Sequence, residues 1–458
     1  MGGYCPELCS GSANSLKYKE FARHISLCYE KQIEKNYRIK SNTPSKTITV
    51  SAKIQKNERR YVMKLKRGFS RGIAAVLAAV LAGIFCTAEY YSVRLPDAVT
   101  VDAGTELRIA NYPDIGCIDS PVGDSATLAL FGTVPVKSVA VKQEETPVLC
   151  AGGMPFGIKL LMEGVMVTGL GEVTDTHGSR ICPADASGIQ KGDVIKLADG
   201  KKVSSNGELQ QIISSSGGKA VRLIINRNGT DSNIDLMPVY SSEGVWRGGM
   251  WVRDSIAGIG TVSFFDPATG RFAGLGHPVC DSDTGENVPL HSGEAVSVDI
   301  TEAQKGEKGI PGELKGSFDN GVTIGILEKN TSSGVFGTLT AKGDFSGDSR
   351  SYPMGRRQDV KTGKAYILST IQGGEPKKYS AEIERVDYKA DDTGRNMVIH
   401  ITDPLLLDTA GGIVQGMSGS PIIQDNKLIG AVTHVFVADP TRGYGIFAET
   451  MYDTMNGA

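Results

Sequence analysis

The feature that most constrains this chain is an uncharged apolar segment near its N-terminal end. Residues Gly72 to Ala88 contain no charged side chain, and as a helix they would span about 25 Å, the short end of a membrane crossing. Four basic residues precede the segment, which are Lys64, Lys66, Arg67 and Arg71, whereas only Glu89 follows it closely. This bias predicts a membrane anchor with the N-terminus in the cytosol and everything after Tyr90 exported.

Two other interpretations of the segment stay open. Residues Cys86 to Ala88 are small where signal peptidase would cleave, so a cleaved secretory signal also fits, and a buried core helix is the third alternative. Met63 begins the sequence MKLKRGFSRG, which is typical of the basic region of a signal. We therefore expect translation to start at Met63, with residues 1–62 a cytosolic tail or mis-assigned start and residues 63–90 the anchor.

The composition is that of a globular protein with many turns. Glycine accounts for 57 of 458 residues, scattered without a three-residue repeat, which excludes collagen and favours a mainly β fold. The net charge of −2 provides no field that would attract nucleic acid. Eight cysteines are too few for a disulfide scaffold. The sequence CPELC at Cys5 and Cys9, with His24 and Cys28, lacks zinc-finger spacing, so no metal is expected.

The exported part divides into three regions. Residues 91–146 alternate short apolar and polar runs between glycines and prolines, which predicts a small β region without visible chemistry. In residues 147–240, the run PADASGIQKGDVI from Pro183 predicts a short helix, a glycine turn and a strand. A second helix is predicted from Ser205 to Ser215. This pattern resembles a bacterial PDZ domain.

The PDZ resemblance implies peptide binding. PDZ domains bind an extended peptide as an added strand, and a glycine-rich loop receives its terminal carboxylate. On that pattern Pro155, Phe156, Gly157 and Ile158 are expected to line the peptide groove. The alternative is a domain that packs permanently on its neighbour and regulates without a free peptide.

Residues 241–458 contain the strongest candidate for chemistry. Positions 411–423 read GGIVQGMSGSPII, and a serine inside Gly-x-Ser-Gly-x-Pro looks like the nucleophile turn of chymotrypsin-like serine proteases. The register identifies Ser418, not Ser420, as the nucleophile. The amides of Gly416 and Ser418 are expected to point at a developing oxyanion, and Gly419 keeps side chains away from the approaching substrate.

A serine nucleophile needs a base, and His277 is the best-placed histidine for this role. It ends the sequence AGLGH after a predicted strand, where it would face a cleft. His434 and His400 lie within alternating strands and are interpreted as strand residues. The base also needs an orienting carboxylate. Spacing alone leaves four candidates for it, which are Asp403, Asp408, Asp281 and Asp283.

Several stretches resemble the stage IV sporulation protein B peptidases of endospore-forming bacteria. They are WVRDSIAGIGT, AGLGH, PGEL, ITDP, the serine turn and GAVTHVFVADPTRGYG, and the order of anchor, PDZ domain and peptidase is also similar. The resemblance implies a mainly β protein in which a chymotrypsin-like double β-barrel follows the PDZ domain. It places the family's catalytic serine, histidine and aspartate on Ser418, His277 and Asp403.

The resemblance also implies a biological role. Such serine endopeptidases are secreted by the forespore into the space between the two membranes, where they cleave themselves and a membrane-bound regulator. This cleavage releases an intramembrane protease that activates the late mother-cell sigma factor. The expected partners are these protein substrates, peptides at the PDZ domain and the membrane, and no cofactor is expected. Two alternatives stay open, namely a non-catalytic PDZ adaptor and a PDZ-linked Ser-Lys peptidase that uses Lys427.

Overall fold

The computed structural model describes residues 44–118, 124–340, 351–389 and 394–457. The chain divides into two units, Met1–Ile84 and Phe85–Ala458. The helices in the described ranges are α1 (Pro44–Ser92), α2 (Pro183–Ala186), α3 (Asn206–Ser214), α4 (Pro404–Ala410) and α5 (Ala448–Asn456). The strands are β1 (Ala98–Val101), β2 (Ile115–Cys117), β3 (Ser125–Leu130), β4 (Val134–Gln143), β5 (Val148–Ala151), β6 (Pro155–Leu170), β7 (Val173–Thr174), β8 (Arg180–Ile181), β9 (Val194–Ala198), β10 (Lys201–Lys202), β11 (Val221–Arg227), β12 (Thr230–Leu236), β13 (Val239–Tyr240), β14 (Trp246–Arg247), β15 (Met250–Phe265), β16 (Arg271–Gly274), β17 (Leu290–Gln304), β18 (Glu313–Thr331), β19 (Gly334–Leu339), β20 (Ser351–Pro353), β21 (Gly363–Ser369), β22 (Lys377–Val386), β23 (Met397–Ile401), β24 (Pro421–Gln424), β25 (Lys427–Phe436) and β26 (Asp439–Phe447).

Helix α1 contains the apolar segment predicted as an anchor. Its stretch Arg59–Ser92 is long and apolar enough to cross a membrane, by length and composition. Large apolar side chains of this stretch are exposed, including Phe69, Val76, Leu81 and Phe85. Helix α1 is therefore a candidate membrane span.

Six strands form the first β-barrel, and the pairing of its two long strands β6 and β15 closes the ring. Strands β6, β17, β18, β19, β16 and β15 follow one another around it, and β15 pairs with β6 to close it. Alternate residues of β6 point into this barrel, as a strand with one buried face requires. These residues are Phe156, Ile158, Leu160 and Met162, each at most 2% exposed.

The PDZ domain is inserted between two strands of this barrel. The C-terminal half of β6 extends beyond the barrel and pairs with β9, which continues into β11 and β12. Helices α2 and α3 pack on these strands around a core that includes Ala184, Leu209 and Leu223. Ser205 accepts a hydrogen bond from the amide of Glu208 and caps α3, as serine commonly does at a helix start.

The predicted boundaries of the PDZ and peptidase domains do not coincide with this strand pairing. The predicted PDZ range 147–240 includes β5 and the first half of β6, which pair with barrel strands β15 and β17. The predicted peptidase range 241–458 therefore lacks strands that complete its first barrel. The reason is physical, since alternation along one strand shows which face is buried but not which distant strand pairs with it.

The second barrel is formed by β21, β22, β23, β26, β25 and β24, which close into a ring. Its core includes Ile367, Ile383, Ile399, Ile422 and Val432. A four-stranded sheet of order β1-β4-β3-β2 lies within the predicted β region 91–146. The PDZ domain and the two barrels confirm the predicted mainly β fold with a double-barrel peptidase.

Candidate active site

The predicted nucleophile turn lies where the two barrels meet. Ser418 is on the connection between α4 and β24, and its carbonyl accepts a hydrogen bond from the amide of Thr261 on β15 at 2.9 Å. Gly416 and Gly419 have φ values of +96° and +97°, a left-handed backbone that favours glycine. A Cβ at position 419 would lie 2.0 Å from the carbonyl oxygen of Thr261. Only glycine at this position lets the turn approach β15 so closely.

Thr261 holds the turn at a second point. Its hydroxyl donates to the carbonyl of Gly416 at 2.7 Å, and the residue is 2% exposed. Together with the bond to the Ser418 carbonyl, this contact fixes the peptide group before Met417 and the peptide group after Ser418. Thr261 belongs to the stretch WVRDSIAGIGT, but its role depends on contact between barrels and carries no local signal in the sequence.

Two backbone donors lie beside the serine. In the part of the chain that the structure describes, the amides of Gly416 and Ser418 donate to no protein acceptor. Unpaired amides at a substrate-facing turn are the donors that an oxyanion hole requires. The role of these two amides as oxyanion donors stays a prediction.

The hydroxyl of Ser418 is bonded to the backbone in this structure. Its Oγ donates to the carbonyl of Thr433 on β25 at 2.7 Å, and no hydrogen bond joins it to a histidine among the described residues. Ser420, by contrast, is fully buried and its Oγ donates to Ser369 Oγ at 3.0 Å. Of the two serines in the motif, Ser418 is partly exposed and Ser420 is buried.

His277 lies against the same part of β25. Gly276 approaches this strand so closely that a Cβ there would lie 2.9 Å from Thr433 Cγ2. The ring of His277 packs on the ring of His434, with centroids 4.7 Å apart. The carbonyl of residue 433 holds Ser418 while the side chain of residue 434 contacts His277. The three side chains Ser418, His277 and His434 are therefore gathered at one end of β25.

The surroundings keep both histidines neutral at physiological pH. His277 Nδ1 lies 2.8 Å from the carbonyl oxygen of Pro278, which fits an Nδ1 proton and leaves Nε2 as the basic nitrogen. Desolvation lowers the pKa of His277, and the Pro278 carbonyl opposes this only in part. Desolvation, His277 and Arg395 together lower the pKa of His434 to about 4. Neutral imidazole is the form that accepts a proton from serine.

Asp403, predicted as the orienting carboxylate, caps helix α4. Its Oδ1 accepts hydrogen bonds from the amides of Leu405 at 3.0 Å and Leu406 at 3.2 Å. Its Oδ2 accepts from the amide of Ser380 at 3.1 Å. These are the bonds of an N-cap aspartate. All three donors are backbone amides, and none belongs to a histidine.

Strand β23 also carries Asp403 away from the histidine pair. Gly394 precedes this strand and lies beside Gly276, where a Cβ on Gly394 would be 3.0 Å from the Gly276 carbonyl oxygen. The five residues of β23 then advance at about 3.3 Å each, and Asp403 follows them. The predicted contact between Asp403 and His277 is therefore absent from the described structure.

The other predicted alternatives have partners of their own. Asp281 and Asp283 pair with Arg253, His400 lies 3.5 Å from Glu384, and Asp408 is exposed. Lys427 Nζ donates to Asp359 at 2.9 Å. Within the described ranges, none of these aspartates hydrogen-bonds to His277. Lys427 does not hydrogen-bond to Ser418, so the Ser-Lys alternative has no geometric support.

Pro155, Phe156, Gly157 and Ile158, predicted to line a peptide groove, lie in the first barrel. Phe156 and Ile158 are at most 2% exposed. Strand β6 is paired with β15 on one side and β17 on the other at these positions, so a peptide strand has no edge to join. This prediction is wrong, because the alternating pattern that fits a PDZ groove strand fits a barrel strand equally well.

A different groove lies beside helix α3. Its volume is about 440 Å³, and it is lined by α3, by residues 171–173 and by the segment 245–252 that leads into β15. Leu209 and Ile213 form the helical wall. Both tryptophans of the chain, Trp246 and Trp251, also line the groove. A concave, partly apolar groove of this size is typical of a ligand site.

Metal ligands do not cluster in the described part of the chain. No group of three or more His, Cys, Asp or Glu side chains there could hold a metal ion. Cys5, Cys9, His24 and Cys28, which were weighed as zinc ligands, lie outside the described residues.

Comparisons with known proteins agree with this architecture. The sequence model of the family described as SpoIVB peptidase S55 matches residues 244–452, and a PDZ domain model matches residues 172–237. No curated protein matches the chain significantly.

Solved structures overlap with parts of the chain. The PDZ domain of the SdrC-like protein from Listeria monocytogenes is 22% identical, with 20% of this chain and 90% of that chain covered and a TM-score of 0.17. The active form of the Rv3671c protease from M. tuberculosis is 14% identical, with 44% and 74% covered and a TM-score of 0.26. An inactive form of the Rv3671c protease is 14% identical, with 43% and 83% covered and a TM-score of 0.23. TM-scores this low do not define a shared architecture.

The double barrel, the serine turn and the inserted domain define a PDZ-containing serine peptidase. Within that class, the match of residues 244–452 to the SpoIVB peptidase S55 family, together with the PDZ match, supports a SpoIVB-type serine peptidase.

Proposed function

We propose that this chain is a sporulation endopeptidase whose nucleophile is Ser418 and whose base is His277. The proposal depends on one observation, which is that a partly exposed serine, two amides without a protein acceptor among the described residues and a pair of packed histidines lie together at the contact between the barrels. The family match supports peptide hydrolysis as the reaction.

The proposed reaction starts when Ser418 Oγ turns from the Thr433 carbonyl to His277. As Oγ bonds to the substrate carbonyl carbon, its proton passes to His277 Nε2. The amides of Gly416 and Ser418 donate to the oxyanion that forms. The carbon–nitrogen bond then breaks as the leaving amine takes the proton from Nε2. Water then attacks the carbonyl carbon of the acyl ester and gives a proton to Nε2. As the bond between that carbon and Ser418 Oγ breaks, Nε2 passes this proton to Oγ, which regenerates Ser418 and neutral His277.

In this mechanism the Pro278 carbonyl takes the place of an orienting carboxylate. It accepts from His277 Nδ1 at 2.8 Å and so fixes the tautomer in which Nε2 is the base. A carboxylate would also stabilise the imidazolium that forms, whereas a neutral carbonyl does so less. The protonated form of His277 is therefore expected to be short-lived, which agrees with the lowered pKa of its imidazole.

The groove beside α3 is proposed as the peptide site of the PDZ domain. Its occupant would be an extended peptide with a free carboxylate, the ligand that PDZ domains accept. Because both tryptophans line the groove, intrinsic fluorescence reports on it directly. Peptides with an apolar C-terminal residue should change the tryptophan emission of the full chain, and Ile213→Asp should abolish the change. An equal response in Ile213→Asp would contradict this site.

The proposed substrates are the chain itself and a membrane-bound regulator of an intramembrane protease. The proposed location is the space between forespore and mother-cell membranes, with α1 as the anchor or export signal. In an endospore-forming host, replacing the native protein by Ser418→Ala should block maturation of the late mother-cell sigma factor. Normal maturation in that strain would contradict the proposed role in sporulation.

Self-cleavage provides the test of the chemistry. The full chain, Ser418→Ala and the control Ser420→Ala are incubated in detergent and followed on a denaturing gel. Fragments should form from the unsubstituted chain and from Ser420→Ala, since Ser420 is buried and bonded to Ser369. Ser418→Ala should stay intact. Fragments from Ser418→Ala in purified form would contradict the assignment of the nucleophile.

A further inference from the structure

The segment that follows His277 is held at two points by residues outside it. We call residues 278–288 the His277 loop. Near its ends, Asn330 on β18 binds the loop through its side-chain amide. The amide of Val279 donates to Asn330 Oδ1 at 2.8 Å, and Asn330 Nδ2 donates to the carbonyls of Val279 and Val288 at 2.9 Å each. Both ends of the loop are therefore fixed to the first barrel through Asn330.

The other attachment is made by Arg253 on β15. Its guanidinium donates to Asp281 and, at 2.7 Å, to Asp283. Asp281 is 1% exposed, and its Oδ1 also accepts from the amides of Asp283 at 3.0 Å and Thr284 at 2.9 Å. The buried carboxylate therefore joins the turn of the loop to a single external cation.

The balance of interactions keeps Asp281 charged. Burial alone would raise the pKa of Asp281, but the amide of Thr284 and the guanidinium of Arg253 outweigh it and hold the pKa below its usual range. A buried carboxylate that loses its cation is strongly disfavoured. The turn of the loop therefore depends on Arg253 for its conformation.

Arg253 occupies the point where β15 passes from the PDZ domain to the barrel. It pairs with Met166 on β6, and the register shifts immediately afterwards. Thr284 of the loop donates to Met166 Sδ at 3.4 Å, so the loop touches both strands at this crossing. The residues just before Arg253, from Val245 to Val252, line the groove beside α3. Strand β15 therefore contains residues that line the groove and, directly after them, Arg253, which binds the His277 loop.

We infer that Arg253 is a positioning residue for His277, acting through Asp281 and Asp283 on the His277 loop. The inference rests on the proposed function, because it assigns to Arg253 the placement of the base. Arg253 does not touch the reacting atoms. It sets the path of the chain that carries His277 and its hydrogen-bond acceptor Pro278.

The test measures how fast a fluorophosphonate probe labels Ser418 in the full chain. Arg253→Gln should label about tenfold more slowly than the unsubstituted chain, and Arg253→Lys, which keeps the cation, should recover most of the rate. Arg227→Gln is the matched control. Arg227 is 34% exposed and binds Asp193, which is 1% exposed, while Arg253 is 33% exposed and binds the fully buried Asp281 side chain. The control should cost similar stability but leave the labelling rate within about twofold.

Asp283→Asn supplies an independent measurement. Its side chain is 49% exposed, so its loss removes one Arg253 contact without leaving a buried charge, and it should slow labelling about threefold at unchanged Tm. Equal rates for Arg253→Gln and Arg227→Gln, no recovery in Arg253→Lys, or an unchanged rate in Asp283→Asn would overturn the inference. Absence of labelling in the unsubstituted chain would instead contradict the proposed function.

Discussion

The conformation of the serine turn depends on two hydrogen bonds from one residue of the first barrel, Thr261. Thr261 donates its amide to the Ser418 carbonyl and its hydroxyl to the Gly416 carbonyl, and these two bonds orient the turn that carries both proposed oxyanion donors. A buried carbonyl that loses its donor costs about 1–3 kcal/mol. The placement of the oxyanion donors is therefore sensitive to one hydroxyl group.

Thr261→Val tests this dependence. The substitution keeps the shape but removes the hydroxyl, and we expect fluorophosphonate labelling of Ser418 to slow about tenfold, equivalent to about 1.4 kcal/mol. Thr261→Ser keeps the hydroxyl and should retain most of the rate. Labelling of Thr261→Val at the unsubstituted rate would show that the bond to Gly416 does not orient the turn.

The lowered pKa of His277 predicts the pH dependence of activity. Desolvation favours neutral imidazole, so His277 should stay a base to lower pH than a solvated histidine, whose pKa is about 6.5. The labelling rate should therefore fall on the acid side only below pH 6.5. His434→Ala admits water beside His277 and should move this fall to higher pH.

His400→Gln is the control for the pH profile, because His400 contacts Glu384 and not His277. Its profile should match that of the unsubstituted chain. A fall in rate centred at or above pH 6.5 in the unsubstituted chain would contradict the desolvated base.

At the scale of elements, helix α4 begins at the aspartate that was predicted as the orienting carboxylate. Asp403 accepts three backbone hydrogen bonds as the N-cap of α4. Asparagine is an equally good cap, whereas alanine costs about 1 kcal/mol. We expect Asp403→Asn to keep both Tm and the labelling rate, and Asp403→Ala to lower Tm while the folded fraction still labels. A large loss of labelling in Asp403→Asn at unchanged Tm would restore the predicted triad.

Local patterns of the sequence predicted those elements that depend on local physics. The glycines at 416 and 419 and the second helix, predicted from Ser205 to Ser215, follow from backbone conformation and spacing, and the structure contains them. The role of Thr261, the insertion of the PDZ domain and the burial of residues 155–158 depend on contacts between distant strands. Asp403 was assigned by resemblance, and no pattern in the sequence distinguishes a helix cap from a catalytic carboxylate.

At the scale of the whole molecule, the insertion predicts which deletions the fold tolerates. Leu170 pairs with Met250, and the Gly171 amide donates to the Gly249 carbonyl at 3.0 Å, so the inserted domain leaves and returns at adjacent positions. Replacing residues 172–248 with Asn-Gly, a favoured hairpin turn, should leave a folded double barrel. Deleting residues 150–238 removes β6 and should unfold it.

The two deletions are compared by circular dichroism and by labelling with the fluorophosphonate probe. The hairpin variant should keep a cooperative thermal transition and label at Ser418, whereas the variant without residues 150–238 should do neither. A folded, labelled protein after the second deletion would contradict the ring of strands in the first barrel.

The central claim is that Ser418 is a nucleophile activated by His277. Its most direct test is to label the full chain with a fluorophosphonate, digest it and locate the adduct by mass spectrometry. The account predicts one adduct, on Ser418, lost in Ser418→Ala, reduced at least a hundredfold in His277→Ala, and unchanged in Ser420→Ala. An adduct on another residue, or undiminished labelling without His277, would contradict the account.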